Sequence, residues 1–363
     1  MKRWKTVMAF CGSCIALYIG SGFATMQEVL QYEASYGSLF WVVIAVTAVI
    51  YIYTNLSFAA NGSRLKLSKG GDIYKAYCGK YVGSFYNYFS ALFCYMSFVV
   101  MLGGANSTAM QQWGLPSGIG AIVLALLAII TVCSGLRGIL KALSCLGPII
   151  IGFLLLISIV SVVSSTMGLD AGLTSIDSGV YHIAQIGGGN PLASGASYGG
   201  FVILWFASFL AEIGAKNKLS DVNNGMLLSS VFIFGVAALC CLSLISNIDV
   251  VYNADIPTLV LANRISPMLG LAFSVVVFVG IYTSAVPLLW TGIRGLAEEE
   301  TNKYRVLTLA GGVVACIIAC LVPYAPLLNF LYGLNGYLGF ILIFFMIVND
   351  FSLLLNRRRR LQQ

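Results

Sequence analysis

Gly20, Ser21 and Gly22, followed by Phe23 and then by Gln27 and Glu28, interrupt an otherwise apolar stretch with residues suited to ligand holding. Two glycines weaken a helix by roughly 1 kcal/mol each relative to alanine. A helix interrupted at membrane depth frees N–H and C=O groups, and such backbone persists only where it is buried in protein or lines a polar cavity. The chemistry on offer is binding by main-chain groups. The same residues also suit a small-residue packing face with one buried acid.

A second polar cluster, Gly280-Ile281-Tyr282-Thr283-Ser284, lies between Val275–Val279 and Ala285–Leu289. Adjacent hydroxyls either satisfy their own helix or join carbonyls freed by a broken neighbour to hold a hard cation such as Na⁺. Gly280 precedes Thr283 by three residues, on one helix face, so its carbonyl can take part. Tyr95, Phe98, Tyr282 and Asn335 are further interior candidates, and a tyrosine at mid-membrane needs a hydrogen-bond partner. His182 has no cluster of Cys or carboxylates around it, which argues against a metal centre. Without a nucleotide-binding loop or catalytic triad the chain reads as a non-enzyme that binds no cofactor.

The elements that position these residues are membrane helices. The 363 residues are 59% hydrophobic and 9% charged, with a mean hydropathy of +0.91. Spans are expected at about 6 to 33, 37 to 61, 82 to 109, 117 to 135, 142 to 166, 196 to 214, 222 to 247, 267 to 294, 305 to 323 and 326 to 352. That makes an all-α integral membrane protein of ten transmembrane helices, with 1–363 as a single domain. The first stretch is long, carries Glu28 and is followed at once by another span, so it reads as a helix and not as a cleavable signal.

With a cytoplasmic N-terminus, every one of the 20 Lys and Arg residues except Arg264 falls on the cytoplasmic side. The net charge of +7 is therefore topogenic and calls for no nucleic acid; both termini are expected inside a cell membrane. The ten cysteines read as small packing residues. Between the seventh and eighth spans, residues 256–263 read as a short amphipathic helix with Pro257 at its start, a lid or an interfacial helix.

Ten spans divide into two inverted sets of five, about 5–166 and 196–352, and in many transporters the first helix of each set is broken at the midplane. The sixth span, Tyr198-Gly199-Gly200 through Phe206-Ala207-Ser208 to Glu212, again places small residues before an acid, so a paired interruption is expected there.

Ile19-Gly20-Ser21-Gly22-Phe23 resembles the Gly-x-Gly of the first helix in the amino acid–polyamine–organocation superfamily of LeuT-fold transporters. The run Gly22 to Glu28 is similar to the YkvI-type amino acid permeases. The resemblance implies a 5+5 inverted repeat with helices 1 and 6 broken. It also implies substrate contacts at Gly20, Ser21, Gly22 and Phe23, with Phe206, Ala207 and Ser208 opposite. A Na⁺ site would take the carbonyls of Ala16, Ile19 and Gly280 and the hydroxyls of Thr283 and Ser284. Half-helix N–H groups present partial positive charge to a carboxylate without a buried Arg. Lys141 lies at the start of the fifth span instead of within it, which leans toward Na⁺ over H⁺.

The expectation is a secondary transporter of a small amino acid or related zwitterion, working by alternating access and driven by Na⁺. A proton-coupled or uncoupled exchanger and a ligand-sensing receptor of the same fold remain alternatives. Glu28 is assigned a gating or structural role, because eight residues of regular helix put it roughly 12 Å from Gly20. A buried acid able to carry a proton is the sharper alternative for it.

Overall fold

Apolar runs in lipid have to satisfy their backbone internally, and here they do so as helices. The computed structural model describes residues 2–19, 21–67, 69–134, 139–294, 296–297 and 301–361. The first stretch is divided into α1 (Lys2–Tyr18), α2 (Ser21–Ala24) and α3 (Gln27–Tyr32). A 3₁₀ turn (Ala34–Leu39) leads into α4 (Phe40–Leu65), and α5 (Asp72–Trp113), α6 (Ile119–Ser134) and α7 (Ile139–Val163) follow. The second half comprises α8 (Leu169–Asp177), α9 (Pro191–Lys216), α10 (Leu219–Ser246), α11 (Ile248–Val251), α12 (Pro257–Ile265), α13 (Pro267–Arg294), α14 (Asn302–Leu321) and α15 (Tyr324–Leu361).

Seven of the described helices are long and apolar enough to cross a membrane, and the molecule is a multi-pass membrane protein. Its outward face is a coat of large apolar side chains, Val231 at 76% and Phe344 at 64% exposure among them, as a hydrocarbon surround requires. Two helix starts carry side-chain caps. Asn190 Oδ1 accepts from the N–H groups of Leu192 and Ala193 at 2.9 and 3.2 Å, with Pro191 in the first turn of α9. Thr301 Oγ1 accepts from Tyr304 N–H at 3.1 Å at the start of α14.

The packing pairs α1 with α10, α4 with α9, α5 with α13, and α9 with α15. Small residues bring the backbones together, in place of the hydrophobic drive that lipid does not supply. On α4 and α9, a β-carbon at Gly62 would lie 2.7 Å from Ala211 Cα, and one at Gly214 would lie 2.9 Å from Ala59 Cα. On α9 and α15, one at Gly200 would meet Phe340 N at 2.8 Å, and one at Gly339 would meet Gly200 Cα at 2.7 Å.

These contacts correct the expectation for the sixth span. α9 runs unbroken from Pro191 to Lys216, and its small residues are contact points instead of a helix break. Gly199 faces Ile50 of α4 and Gly200 faces α15, so the absent side chains serve close approach. Glu212 pairs with Lys216 one turn on and stands outside the packed interior.

Candidate functional site

The break in the first span has two parts. α1 ends at Tyr18, with Ile19 N–H returning to Ile15 C=O at 2.7 Å. After the single turn of α2 the chain turns again at Thr25 and Met26, and Met26 takes a left-handed conformation with φ 59°. For a non-glycine residue that conformation is uncommon, and it persists where the surroundings over-determine it. Here the surroundings are specific hydrogen bonds. Met26 N–H donates to Phe23 C=O at 2.9 Å, the Thr25 hydroxyl donates to Gly22 C=O at 2.7 Å, and Gln27 N–H donates to Thr25 Oγ1 at 3.3 Å.

The remaining carbonyls of the turn are met by α12. The Thr258 hydroxyl donates to Ala24 C=O at 2.8 Å and its N–H donates to Thr25 C=O at 3.3 Å. α12 is fastened in turn to α5 through Gln111, which exchanges bonds with Ile256 N–H and C=O, and through Asn263 with Gln112 at 2.7 Å. The short helix expected at 256–263 therefore lies directly over the break.

At the opposite end of the bundle, Asp350 of α15 accepts from Tyr53 at 3.2 Å, from Asn61 at 3.2 Å and from Ser57, all of α4. Tyr77 of α5 joins through Asn61 at 2.8 Å and Ser57 at 2.6 Å. Three helices are tied there by one carboxylate.

Between these ends lies Glu28. It is 2% exposed, its Oε2 accepts from the Tyr198 hydroxyl at 3.3 Å, and Oε1 rests against the bare α-carbon of Gly22. The path from Gly22 to Glu28 is not one regular helix, because the left-handed turn at Met26 interrupts it and the Glu28 side chain reaches Gly22; Gly20, from which the separation was reckoned, lies outside the described residues. Rings surround it: Tyr32 stacks on Tyr198 at 4.4 Å, Phe201 stacks on Tyr332 at 4.2 Å, and Tyr18 lies 6.1 Å from both Phe23 and Tyr198. A second acid, Glu33, is fully buried at the end of α3, where Cys241 Sγ donates to its Oε2 at 3.2 Å.

The other anticipated residues divide. Gly20 lies outside the described residues, and Ser21 opens α2. Ala16 and Ile19 stand at the end of α1, where a helix leaves its last carbonyls without intrahelical partners. Phe206 and Ala207 are fully buried, and Phe206 reaches the break through Tyr51, 5.0 Å away, which packs on Tyr18 at 5.5 Å. Ser208 instead lies against Gly70 in the α4–α5 connection.

Tyr95 donates to Gly311 C=O of α14 at 2.9 Å, and Tyr282 bonds Thr131 of α6 at 2.7 Å, so both hydroxyls are taken away from the break. Each needed a partner at membrane depth and found one on a neighbouring helix. Thr283 is buried and donates to Gly280 C=O at 2.9 Å, with Ser284 half-buried beside it; α13, which carries all three, packs on α2. Sequence reasoning missed Tyr18, Tyr32, Glu33, Tyr198 and Tyr332. A second acid within five residues of Glu28 was the available signal for Glu33. Among the described residues no three of His, Cys, Asp or Glu come together to hold a metal ion.

No family model matches the chain. It is 20% identical over 328 residues to the uncharacterized membrane protein YkvI of Bacillus subtilis (strain 168), covering 90% of each chain. It is 23% identical over 358 residues to the uncharacterized protein YyaD of the same organism, covering 94% of this chain and 96% of the relative. Among solved structures it is similar to the manganese transporter of Eremococcus coleocola. A point mutant of that protein superposes with a TM-score of 0.60 at 15% identity, and its complex with an aromatic bis-isothiourea compound with 0.57 at 16%, each covering 95% of this chain and 79% of the other. At these identities the likeness is one of fold.

Proposed function

We propose that the protein is a secondary transporter that moves a small amino acid or related zwitterion by alternating access, with Na⁺ as the coupling ion. The observation that carries this reading is the doubly interrupted first span, with a buried carboxylate at the break and a lid helix bonded across it. A structural helix in lipid has no use for such backbone, whereas a ligand seat does.

The wider architecture fits an inverted 5+5 repeat of the amino acid–polyamine–organocation kind. Taking α1–α7 and α9–α15 as the two halves, exchange of the halves turns the α1–α10 pair into α9–α4 and the α5–α14 pair into α13–α6, and all four contacts exist. Of the two leading helices, α9 is unbroken among the described residues while the first span is interrupted. The charge distribution supports a cytoplasmic N- and C-terminus, and on that orientation α12 lies on the outer side and the Asp350 network on the inner side.

The substrate carboxylate is assigned to main-chain groups of Gly20, Ser21 and Gly22, with Phe23 and Phe206 as apolar neighbours. Sodium is assigned to the carbonyls of Ala16, Ile19 and Gly280 and the hydroxyls of Thr283 and Ser284; the Gly280 and Thr283 oxygens lie 2.9 Å apart, close enough to share one cation. The fold neighbour is a manganese transporter, but hydroxyls and aromatic rings around one acid suit an organic solute better than a doubly charged ion, which takes several oxygen ligands. Uptake of labelled amino acids into proteoliposomes, with and without a Na⁺ gradient, tests the proposal. Gradient-driven accumulation is expected. Tight binding with no flux under any gradient would replace the transporter with a sensor.

A further inference from the structure

Among the buried oxygens near the break that have no partner, two stand together, on residues that are almost wholly buried. Glu28 uses Oε2 for Tyr198 and leaves Oε1 free; Tyr332, on α15, leaves its hydroxyl free. Both oxygens lie within 4 Å of a single point, the place where residue 22 would carry a β-carbon if it were not glycine. The ion pairs found among the described residues lie elsewhere: Arg3 with Asp221, Lys75 with Asp72, and Lys216 with Glu212. A buried carboxylate without a cation is expensive, and a buried oxygen without a hydrogen bond adds to the cost.

One chemical group answers both needs. An ammonium brings positive charge and three N–H donors on one compact nitrogen, enough for the carboxylate and the phenol together. A carboxylate would be repelled, and a sugar hydroxyl would leave the charge unmet. The phenol is held in place, because Tyr332 is stacked on Phe201 at 4.2 Å, and the acid is tethered by Tyr198, itself stacked on Tyr32 at 4.4 Å. The glycine at position 22 makes room for the acid, whose Oε1 occupies the place a β-carbon would need, with the Tyr332 hydroxyl 3.7 Å from that point.

We infer that Glu28 Oε1 and the Tyr332 hydroxyl form the seat for the ammonium group of the solute, which makes Glu28 a substrate-contacting residue and the solute an amine. This rests on the transporter reading for the word solute, but the seat itself is a binding claim with its own readout. In the bound state the amine replaces the missing partner of both oxygens. A solute lacking nitrogen has nothing to offer them.

The test is calorimetric titration of the purified full-length protein with three probes: L-alanine, methylammonium chloride, and choline propionate, which is the alanine skeleton without its ammonium. L-alanine and methylammonium are expected to bind, and propionate to bind at least about 100-fold more weakly than L-alanine. Glu28→Gln should weaken both ammonium-bearing probes about 100-fold and leave propionate unchanged, and Tyr332→Phe should weaken them about tenfold. In the unaltered protein, methylammonium should protect Glu28 from a hydrophobic carbodiimide, read by peptide mass spectrometry; this result needs no variant to fold.

The proposal is overturned if neither L-alanine nor methylammonium binds, if propionate equals L-alanine, if Glu28→Gln binds L-alanine normally, or if methylammonium gives no protection. Ammonium binding at Glu28 without uptake into proteoliposomes would remove the transporter reading and keep the seat. Uptake that persists undiminished in Glu28→Gln would do the reverse.

Discussion

Gly339→Ala is expected to destabilise the protein by about 3 kcal/mol, the upper end of what overpacking a close-packed contact costs. The added β-carbon would lie 2.7 Å from Gly200 Cα, where ordinary contact begins at 3.4 Å, and it would overlap the Gly200 carbonyl still more closely. Both opposing atoms are backbone, so no side chain can swing aside. α9 and α15 have to part by at least ~0.7 Å along this contact, with loss of the dispersion energy of the flanking residues. These two helices carry Tyr198 and Tyr332, so the strain reaches the acid as well. The assay is thermal unfolding in detergent with a thiol-reactive dye, where a fall on the order of 5 °C is expected. Gly235→Ala in α10 is the control: nothing lies within 4 Å of its β-carbon position, and helix propensity alone should leave it neutral or slightly stabilised. Equal melting of the two variants would refute the view that backbone contact at small residues holds α9 to α15.

Thr258→Val keeps the shape of the lid residue but removes the hydroxyl that meets Ala24 C=O; leaving that carbonyl unmet costs about 1 to 3 kcal/mol, so the α12 amides should exchange with D₂O roughly tenfold faster, and unchanged exchange would show the bond to be idle. Asp350→Asn should lower the chemical unfolding midpoint by the equivalent of about 1 to 2 kcal/mol, a modest figure because Asp350 is only half-buried, and an unaltered midpoint would count against the network as a fastening. Thr283→Ala combined with Ser284→Ala should abolish the Na⁺ dependence of substrate binding while the protein stays folded; identical affinities in Na⁺ and choline before and after the change would dispose of the sodium assignment.

How much of this was legible in the residues alone depended on whether a local signal had one meaning. An interruption of the first span was, since glycine, serine and an acid at membrane depth conflict with a continuous helix; its place was less so, because Ser21 and Gly22 are helical in α2, Gly20 lies outside the described residues, and the left-handed turn falls at Met26. Pro257 marked the start of α12 for a similar local reason, the ring of proline being at home in a first helical turn. Gly199 and Gly200 carried two meanings, interruption or close approach, and only the partners Ile50 and Phe340 decided for approach. The reach of Glu28 toward Gly22 was hidden because distance along a chain is fixed only while the helix is regular, and Met26 ends that regularity without any glycine to announce it. Tyr198 and Tyr332 are separated from Glu28 by more than a hundred residues, and a tyrosine in an apolar run looks the same whether it packs or points at an acid. Their convergence is a tertiary fact.

The bond between Thr258 and the broken span has a consequence for how the cavity meets water. While α12 is down, the carbonyls of Ala24 and Thr25 are satisfied by protein. Raising the helix into a dry gap would cost several kcal/mol for each abandoned group, but raising it as liquid enters exchanges each bond for one to a water molecule, at a net difference of about 0.5 to 1.5 kcal/mol. On the proposed transporter reading, with α12 as the outer gate, lifting and wetting are therefore one event, and opening is driven by hydration. A cosolute too large to enter the cavity, by drawing water out of it, pushes the population toward closure without touching the protein, so the occupancy of the open state is set partly by the activity of water on that face.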